Sequence, residues 1–316
     1  YSAFQINELH RHNQNLVGRL HATSLLWSTD IKTAVNPQYS ILFSMKKLRN
    51  YITNSQKQVK EKLKHIPFID KLIRQRNKKE VDAFVVSFPK CGRTWLRLMI
   101  GRAIIQHFNL SISEYDRRLI NIQELSKFNS RIPRIVFTHD DDAFFKSSDE
   151  LCTSKSEYRY NKIVFLIRDP RDVVVSSFFH KKYRYNFLPE DKSRLAYASY
   201  DGEIVQFIRE PIGSLKTLIE YYNIWDKNRH IPLGFMLLRY ENIFCDPISS
   251  LRLTLDFLGL NFIEDDVVAE AVNYASFQNM INVEKNNVFN SPIMKVNNPS
   301  DYKTYKTRQG KVGGYK

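Results

Sequence analysis

One stretch constrains the chain more than any other, the run DAFVVSFPKCGRTWLR from Asp82 to Arg97. Ala83–Phe88 is a short apolar, β-branched run of the kind that forms a buried parallel strand. Pro89 and Gly92 break it, and Thr94 offers a side-chain oxygen to cap a following helix. That helix, predicted over Thr94–Phe108, carries Trp95, Leu96, Met99, Ile100, Ala103 and Ile104 at helical spacing. A strand, a tight turn and a helix N-terminus make an anion site. The free N–H groups of the first turn face the ligand, and the dipole adds about half a positive charge. Lys90 and Arg93 place full charges at its mouth. Something phosphorylated is expected there. The nucleotide-triphosphatase loop is excluded, because it needs Gly-x4-Gly-Lys-Ser/Thr and only Gly92 stands in this turn, with Lys90 ahead of it.

The same alternation continues downstream. Arg134–Thr138 is a second apolar run and ends in His139, and Ile163–Ile167 is a third, running into Arg168, Asp169 and Pro170. A helix is predicted over Arg171–Lys181, with Pro170 near its first turn, where the missing N–H costs nothing. Gly202–Asn228 reads as helical with a break near Pro211–Gly213, Gly234–Leu238 as a fourth strand, and Pro247–Leu258 and Glu264–Tyr274 as helices. Residues 146–161 and Tyr183–Tyr200 read as polar loops, the second as an exposed loop or lid, and the tail from Asn286 carries no packing pattern. Strands alternating with helices predict an α/β, three-layer fold with a central parallel sheet and helices on both faces. The expected domain spans 81–316, behind a mostly helical N-terminal extension over 1–80. In that extension an apolar stripe from Val59 to Ile73 is broken at Pro67.

The net charge of +15 raises the prospect of a nucleic-acid or membrane-surface binder. Its location argues against that. Between Lys46 and Glu80 twelve cations face three acids, so the excess is concentrated in the extension, where a solvated helix face is the simpler reading. A hydrophobic fraction of 43% supports a large core and excludes a disordered chain. No run reaches the ~20 apolar residues of a membrane span. Cys91, Cys152 and Cys245 are too few and too scattered for a disulfide scaffold or zinc site. A reducing, cytoplasmic setting is expected, and a start at Tyr1 leaves room for a removed anchor.

The run Pro89-Lys90-Cys91-Gly92-Arg93-Thr94-Trp95 resembles the 5′-phosphosulfate loop of the sulfotransferases that use 3′-phosphoadenosine 5′-phosphosulfate (PAPS), usually written Pro-Lys-Ser-Gly-Thr-Thr-Trp. Cys91 and Arg93 stand where many members carry hydroxyls. Phe165–Phe179 resembles the family's 3′-phosphate element, and the carry-over lands on Arg168 and Ser176. An Arg at the carboxyl edge of a parallel sheet is suited to a phosphate on physical grounds too. Tyr240, in Leu237–Glu241, resembles the strand-end Tyr near the adenine, and Phe277 the aromatic that stacks on the base. Arg308, Gln309 and Gly310 open a segment similar to the family's C-terminal phosphate loop, from which Gln309, Gly314 and Tyr315 depart.

The resemblance implies a PAPS-dependent sulfotransferase that releases 3′-phosphoadenosine 5′-phosphate (PAP) and needs no metal. Lys90, Arg93 and Thr94 would hold the phosphosulfate, and Trp95, Tyr240 and Phe277 would enclose the adenine. An acceptor hydroxyl must lose a proton, and His is the side chain suited to take it near neutrality. His139 ends the second strand at the same sheet edge as Lys90 and matches the family's Thr-His; Phe137 stands where many members have Lys. His107 and His180, on predicted helices, read as structural or exposed. Asp140–Asp142 lacks the partners of a metal site. The acceptor, a hydroxyl or amine of a small molecule, lipid or sugar, is left open, with its pocket expected from Ser147–Asn161 and Tyr183–Tyr200 and contributions from the N-terminal extension. Nucleic acid is disfavoured, and a homodimer is left open. The rivals are a nucleotide kinase on the same scaffold and a polyanion binder working through the basic extension.

Overall fold

The computed structural model describes residues 80–113, 116–184 and 200–316. The basic extension and most of the Tyr183–Tyr200 segment lie outside the described residues. Four strands form one sheet: β1 (Ala83–Val86), β2 (Ile135–Thr138), β3 (Lys162–Ile167) and β4 (Gly234–Arg239). Every pairing is parallel, in the order β2-β1-β3-β4. The two central strands are the continuously apolar runs of the sequence, and β1 is buried along its whole length. The edge strands β2 and β4 are only partly covered.

Among the described residues the helices are α1 (Arg93–His107), α2 (Pro170–Tyr183), α3 (Ile204–Arg209), α4 (Leu215–Lys227), α5 (Tyr240–Cys245), α6 (Pro247–Phe257), α7 (Asp265–Tyr274) and α8 (Phe277–Lys285). From β1 the chain crosses through α1 to one edge, and from β3 it crosses through α2–α4 to the other. Right-handed crossovers in opposite directions place their helices on opposite faces of the sheet. Accordingly α1 packs with α6 and α7, while α2 packs with α3 and α4. Bidentate hydrogen bonds from Arg102 to Glu270 at 2.7 and 3.0 Å tie α1 to α7. Direction reverses between the adjacent strands β1 and β3, so a crevice opens at their carboxyl ends. No helix among the described residues is long and apolar enough to cross a membrane.

Several local expectations need correction. The N-cap of α1 is Gly92, in the left-handed region at φ 93°, and no side chain caps the helix; Thr94 already lies inside it. Residues 146–161 are not a solvated loop. Lys155, Tyr158 and Asn161 in that segment are buried, and the Asn161 side chain donates to the Val81 carbonyl. The tail after Asn286 is packed as well, with Phe289, Met294 and Val296 in the interior. Arg184 staples it by donating to Glu284 at 2.6 Å and to the carbonyls of Thr304 and Lys295. Glu284, fully buried, accepts in turn from the Thr307 amide and hydroxyl.

Candidate active site

Each strand delivers one piece of the site at its carboxyl end. The residues that follow all four strands line a cavity of about 580 Å³. After β1 comes the turn with Lys90 at φ 75° and Gly92 at φ 93°, and α1 begins at once, its N-terminus open to the cavity. Gly92 is required for space as well as for conformation, since a Cβ there would stand 2.5 Å from the ring of Tyr240. After β3, Arg168 is held through its backbone by Tyr222, whose hydroxyl accepts from the Arg168 N–H and donates to the Arg168 carbonyl. Its guanidinium lies 4.2 Å from the Tyr240 ring centre, donates to the Lys311 carbonyl at 3.0 Å and pairs with Asp172 at 3.5 Å. Asp169 caps α2 and Pro170 occupies its first turn. After β4, Tyr240 is buried, and Glu241 accepts from the Asp169 amide at 2.7 Å.

Nearly all the expected site residues meet here. Lys90, Gly92, Arg93, Thr94, Trp95, His139, Arg168, Ser176, Tyr240, Phe277, Arg308, Gln309 and Gly310 line the one cavity. Cys91 does not. Its side chain is fully buried against the Tyr222 hydroxyl at 3.3 Å, and desolvation pushes its thiol up to about 12. Gly310, at φ 55°, lies so close beneath Phe277 that a Cβ would come within 2.3 Å of the ring. Arg308 stacks on Phe179 at 3.9 Å.

His139 follows β2 and is fixed on both sides of its ring. Its Nδ1 lies 2.9 Å from the Ser87 carbonyl and its Nε2 2.6 Å from the Arg93 guanidinium. A carbonyl can only accept and a guanidinium can only donate, so the proton sits on Nδ1 and the lone pair on Nε2. Burial, then the Arg93 charge, holds the ring well below the usual imidazole pKa. Behind it the backbone is pinned. Tyr221 donates to the His139 carbonyl at 3.0 Å. The carboxylate of Asp140 takes a hydrogen bond from Tyr158 at 2.5 Å and an ion pair from Lys155 at 2.7 Å, both partners buried. Asp140, Asp141 and Asp142 all have positive φ, and Asp141 bonds Lys146 and the Cys152 amide, so two of the three carboxylates serve the turn. Lys155→Met would leave Asp140 buried without its cation. A loss of about 3–5 kcal/mol in urea unfolding is expected, against a surface-like loss below about 1 kcal/mol if the pair were idle.

Residues invisible to motif reasoning complete the site. Arg97, His180, Arg184 and Lys306 also line the cavity. His180, expected to be structural or exposed, is a cavity residue held well below the usual imidazole range by burial and by Lys90. Lys306 donates to the Ile293 carbonyl, and burial with Lys90 beside it depresses its ammonium. The same crowding brings Lys90 down to about 7, through burial first and then Arg184, Arg168 and Arg308. Among the described residues the sole carboxylate lining the cavity is Asp172. No residue of the segment 147–161 lines it, so that segment does not build the pocket as expected; of Tyr183–Tyr200, Arg184 does. One signal was available, the spacing of Arg93 and Arg97, which puts both on one face of α1.

Such a site, two anion-reading turns around a neutral histidine, can bind a phosphorylated group and withdraw a proton beside it. Over residues 80–316 the chain matches the family described as the sulfotransferase domain. It is 27% identical over 225 residues to Sulfotransferase 2A6 of Rattus norvegicus, covering 69% of this chain and 72% of that protein. It is 26% identical over 224 residues to Flavonol 3-sulfotransferase of Flaveria bidentis, covering 65% of this chain and 66% of that protein. Among solved structures, mouse sulfotransferase SULT7A1 complexed with PAP aligns with a TM-score of 0.46 at 22% identity, over 75% of this chain and 77% of that one. The match over residues 80–316 places this chain in the sulfotransferase family.

Proposed function

We propose that the cavity takes PAPS as donor and transfers its sulfuryl group to a hydroxyl of a small-molecule, lipid or sugar acceptor. The observation that carries this reading is the convergence, in one cavity, of the Lys90 turn, the Arg168 turn and the Nε2 lone pair of His139. The residues fit the nucleotide. The α1 N-terminus carries no acidic residue in its first turn, Arg168 has a buried Nε without a partner, and Phe277 presents an exposed ring beside Trp95 and Tyr240 for a base. A cavity of about 580 Å³ is ample for such a ligand.

In this reading Arg168 and Ser176 hold the 3′-phosphate, with Arg308 and the Gln309–Gly310 turn closing over it. Lys90, Thr94 and the first N–H groups of α1 hold the phosphosulfate; Arg93, expected to join them, instead directs its guanidinium at His139 Nε2. His139 Nε2 removes the acceptor proton as the acceptor oxygen bonds to sulfur. The bond from sulfur to the phosphate oxygen breaks with its electron pair left on that oxygen, where Lys90 neutralises the charge. Arg93 occupies Nε2 here and must step aside for the acceptor. The division at residue 80, between an N-terminal extension and the sulfotransferase domain, is supported by where the family match begins. A reducing, cytoplasmic setting fits three free cysteines.

The reading is tested by thermal shift. PAP at a hundredfold its Kd is expected to stabilise the protein by about 2.7 kcal/mol, while ATP and adenosine 5′-phosphate at matched concentration do far less. Arg168→Ala should erase most of that difference. Equal stabilisation by all three nucleotides would remove the 3′-phosphate assignment.

A further inference from the structure

The nucleotide does not account for all the charge in the cavity. In the reading above, Lys90, Arg168 and Arg308 face its phosphates. Of the other cations lining the cavity, Arg93 and Arg97 stand one turn apart on the same face of α1. Arg97 is only 8% exposed, stacks 4.6 Å from the Phe137 ring centre, and has a buried Nε without a hydrogen-bond partner. Arg93 has a buried Nη1 in the same condition. Neither forms an ion pair with a carboxylate among the described residues. Burial depresses both guanidinium groups, and in Arg93 the charge of Arg97 adds to the effect. Buried charges are ordinarily paired, since leaving water without a counter-charge is costly. Two such groups beside the catalytic histidine ask for an anion that the nucleotide does not supply.

We propose that the acceptor is itself an anion, an alcohol or phenol bearing a carboxylate, sulfate or phosphate, whose charged group is held by Arg97 with Arg93 while its hydroxyl addresses His139 Nε2. The inference rests on the sulfotransferase reading of the same cavity. It also supplies what that reading needs from Arg93. In the free protein the Arg93 guanidinium covers the lone pair that must accept the proton. An oxyanion is a stronger acceptor for a guanidinium than a neutral imidazole, because both partners are charged. An anionic acceptor therefore draws Arg93 off Nε2 as it binds and uncovers the base. An uncharged acceptor leaves the cover in place.

The test is calorimetric titration of the PAP-saturated protein with two matched pairs, 4-hydroxybenzoate against its methyl ester and glucuronate against glucose. In at least one pair the charged member is expected to bind tenfold or more tightly than the uncharged one. Arg97→Gln should reduce it to the level of the uncharged partner, with PAP affinity retained as the control for folding. Should Arg97→Gln fail to fold, Arg97→Lys takes its place, and a several-fold weakening of the charged member alone is expected. PAP binding without a charge preference in either pair overturns this inference and leaves the donor assignment standing. So does a preference that survives Arg97→Gln or is unchanged in Arg97→Lys. No PAP binding by the wild-type protein removes the donor assignment, and the inference with it.

Discussion

His139→Asn is expected to lower kcat by about 10²–10⁴-fold with PAP affinity nearly unchanged, because in the proposed mechanism the ring faces the acceptor and a general base contributes about that factor. The pH profile sharpens the result. Burial and the Arg93 guanidinium hold His139 well below 6.5, so it is already neutral and basic throughout the neutral range. The wild-type rate should therefore stay level on going down from neutrality through pH 6.5 and fall only at markedly lower pH, where the ring at last takes a proton. A limb centred on an ordinary imidazole pKa, as a bare sequence would suggest, is not expected. Near-normal turnover in His139→Asn, with the acid limb intact, would make His139 a scaffold residue. His180, also in the cavity, would then be the next base to test.

Lys90→Ala is expected to damage both binding and chemistry. A hydrogen bond to a charged group contributes roughly 1.5–3 kcal/mol, so PAP affinity should fall by about 10- to 100-fold. The loss of kcat adds to this, because in the proposed mechanism the same charge neutralises the departing phosphate oxygen. In the ligand-free site Lys90 titrates at about 7. Phosphate binding favours its charged form and raises that value. The sign follows from linkage: PAP binds best below pH 7, takes up protons above it, and loses up to about tenfold in affinity per pH unit until the bound-state pKa is passed. Lys90→Ala should flatten the slope. A PAP affinity that does not change between pH 6 and 9 would show that Lys90 meets no phosphate.

The legible and illegible parts of this site differ for a physical reason. Lys90, Gly92, Arg168 and His139 sit next to strands whose apolar runs are local, so their place at one sheet edge follows once the strands are recognised. Arg97, His180, Arg184 and Lys306 reach the cavity through helix phase and long-range packing. Lys306, for instance, is positioned because Arg184 and Glu284 staple the tail, an ion pair between residues a hundred apart in sequence. Nothing in the tail's own Asn-, Pro- and Lys-rich pattern reports that. The helix α8 escaped because it is only nine residues long, although Phe277, Met280, Ile281 and Val283 stand at helical spacing in it. Thr94 was misjudged as a cap because a glycine with positive φ can serve as the N-cap when no side chain does. The polar segment 146–161 looked like surface because its charge is neutralised internally, Lys155 by Asp140.

The burial of Cys91 has a practical corollary. Only a thiolate reacts readily with electrophiles and oxidants, and a thiol near 12 with no solvent contact offers almost none. Cys152 and Cys245 are exposed and unpaired. An alkylating dye should therefore label the folded protein at two positions away from the cavity. The turn between β1 and α1, although it carries a cysteine at its centre, should pass through oxidative stress unmodified, and labelled protein should keep its affinity for PAP.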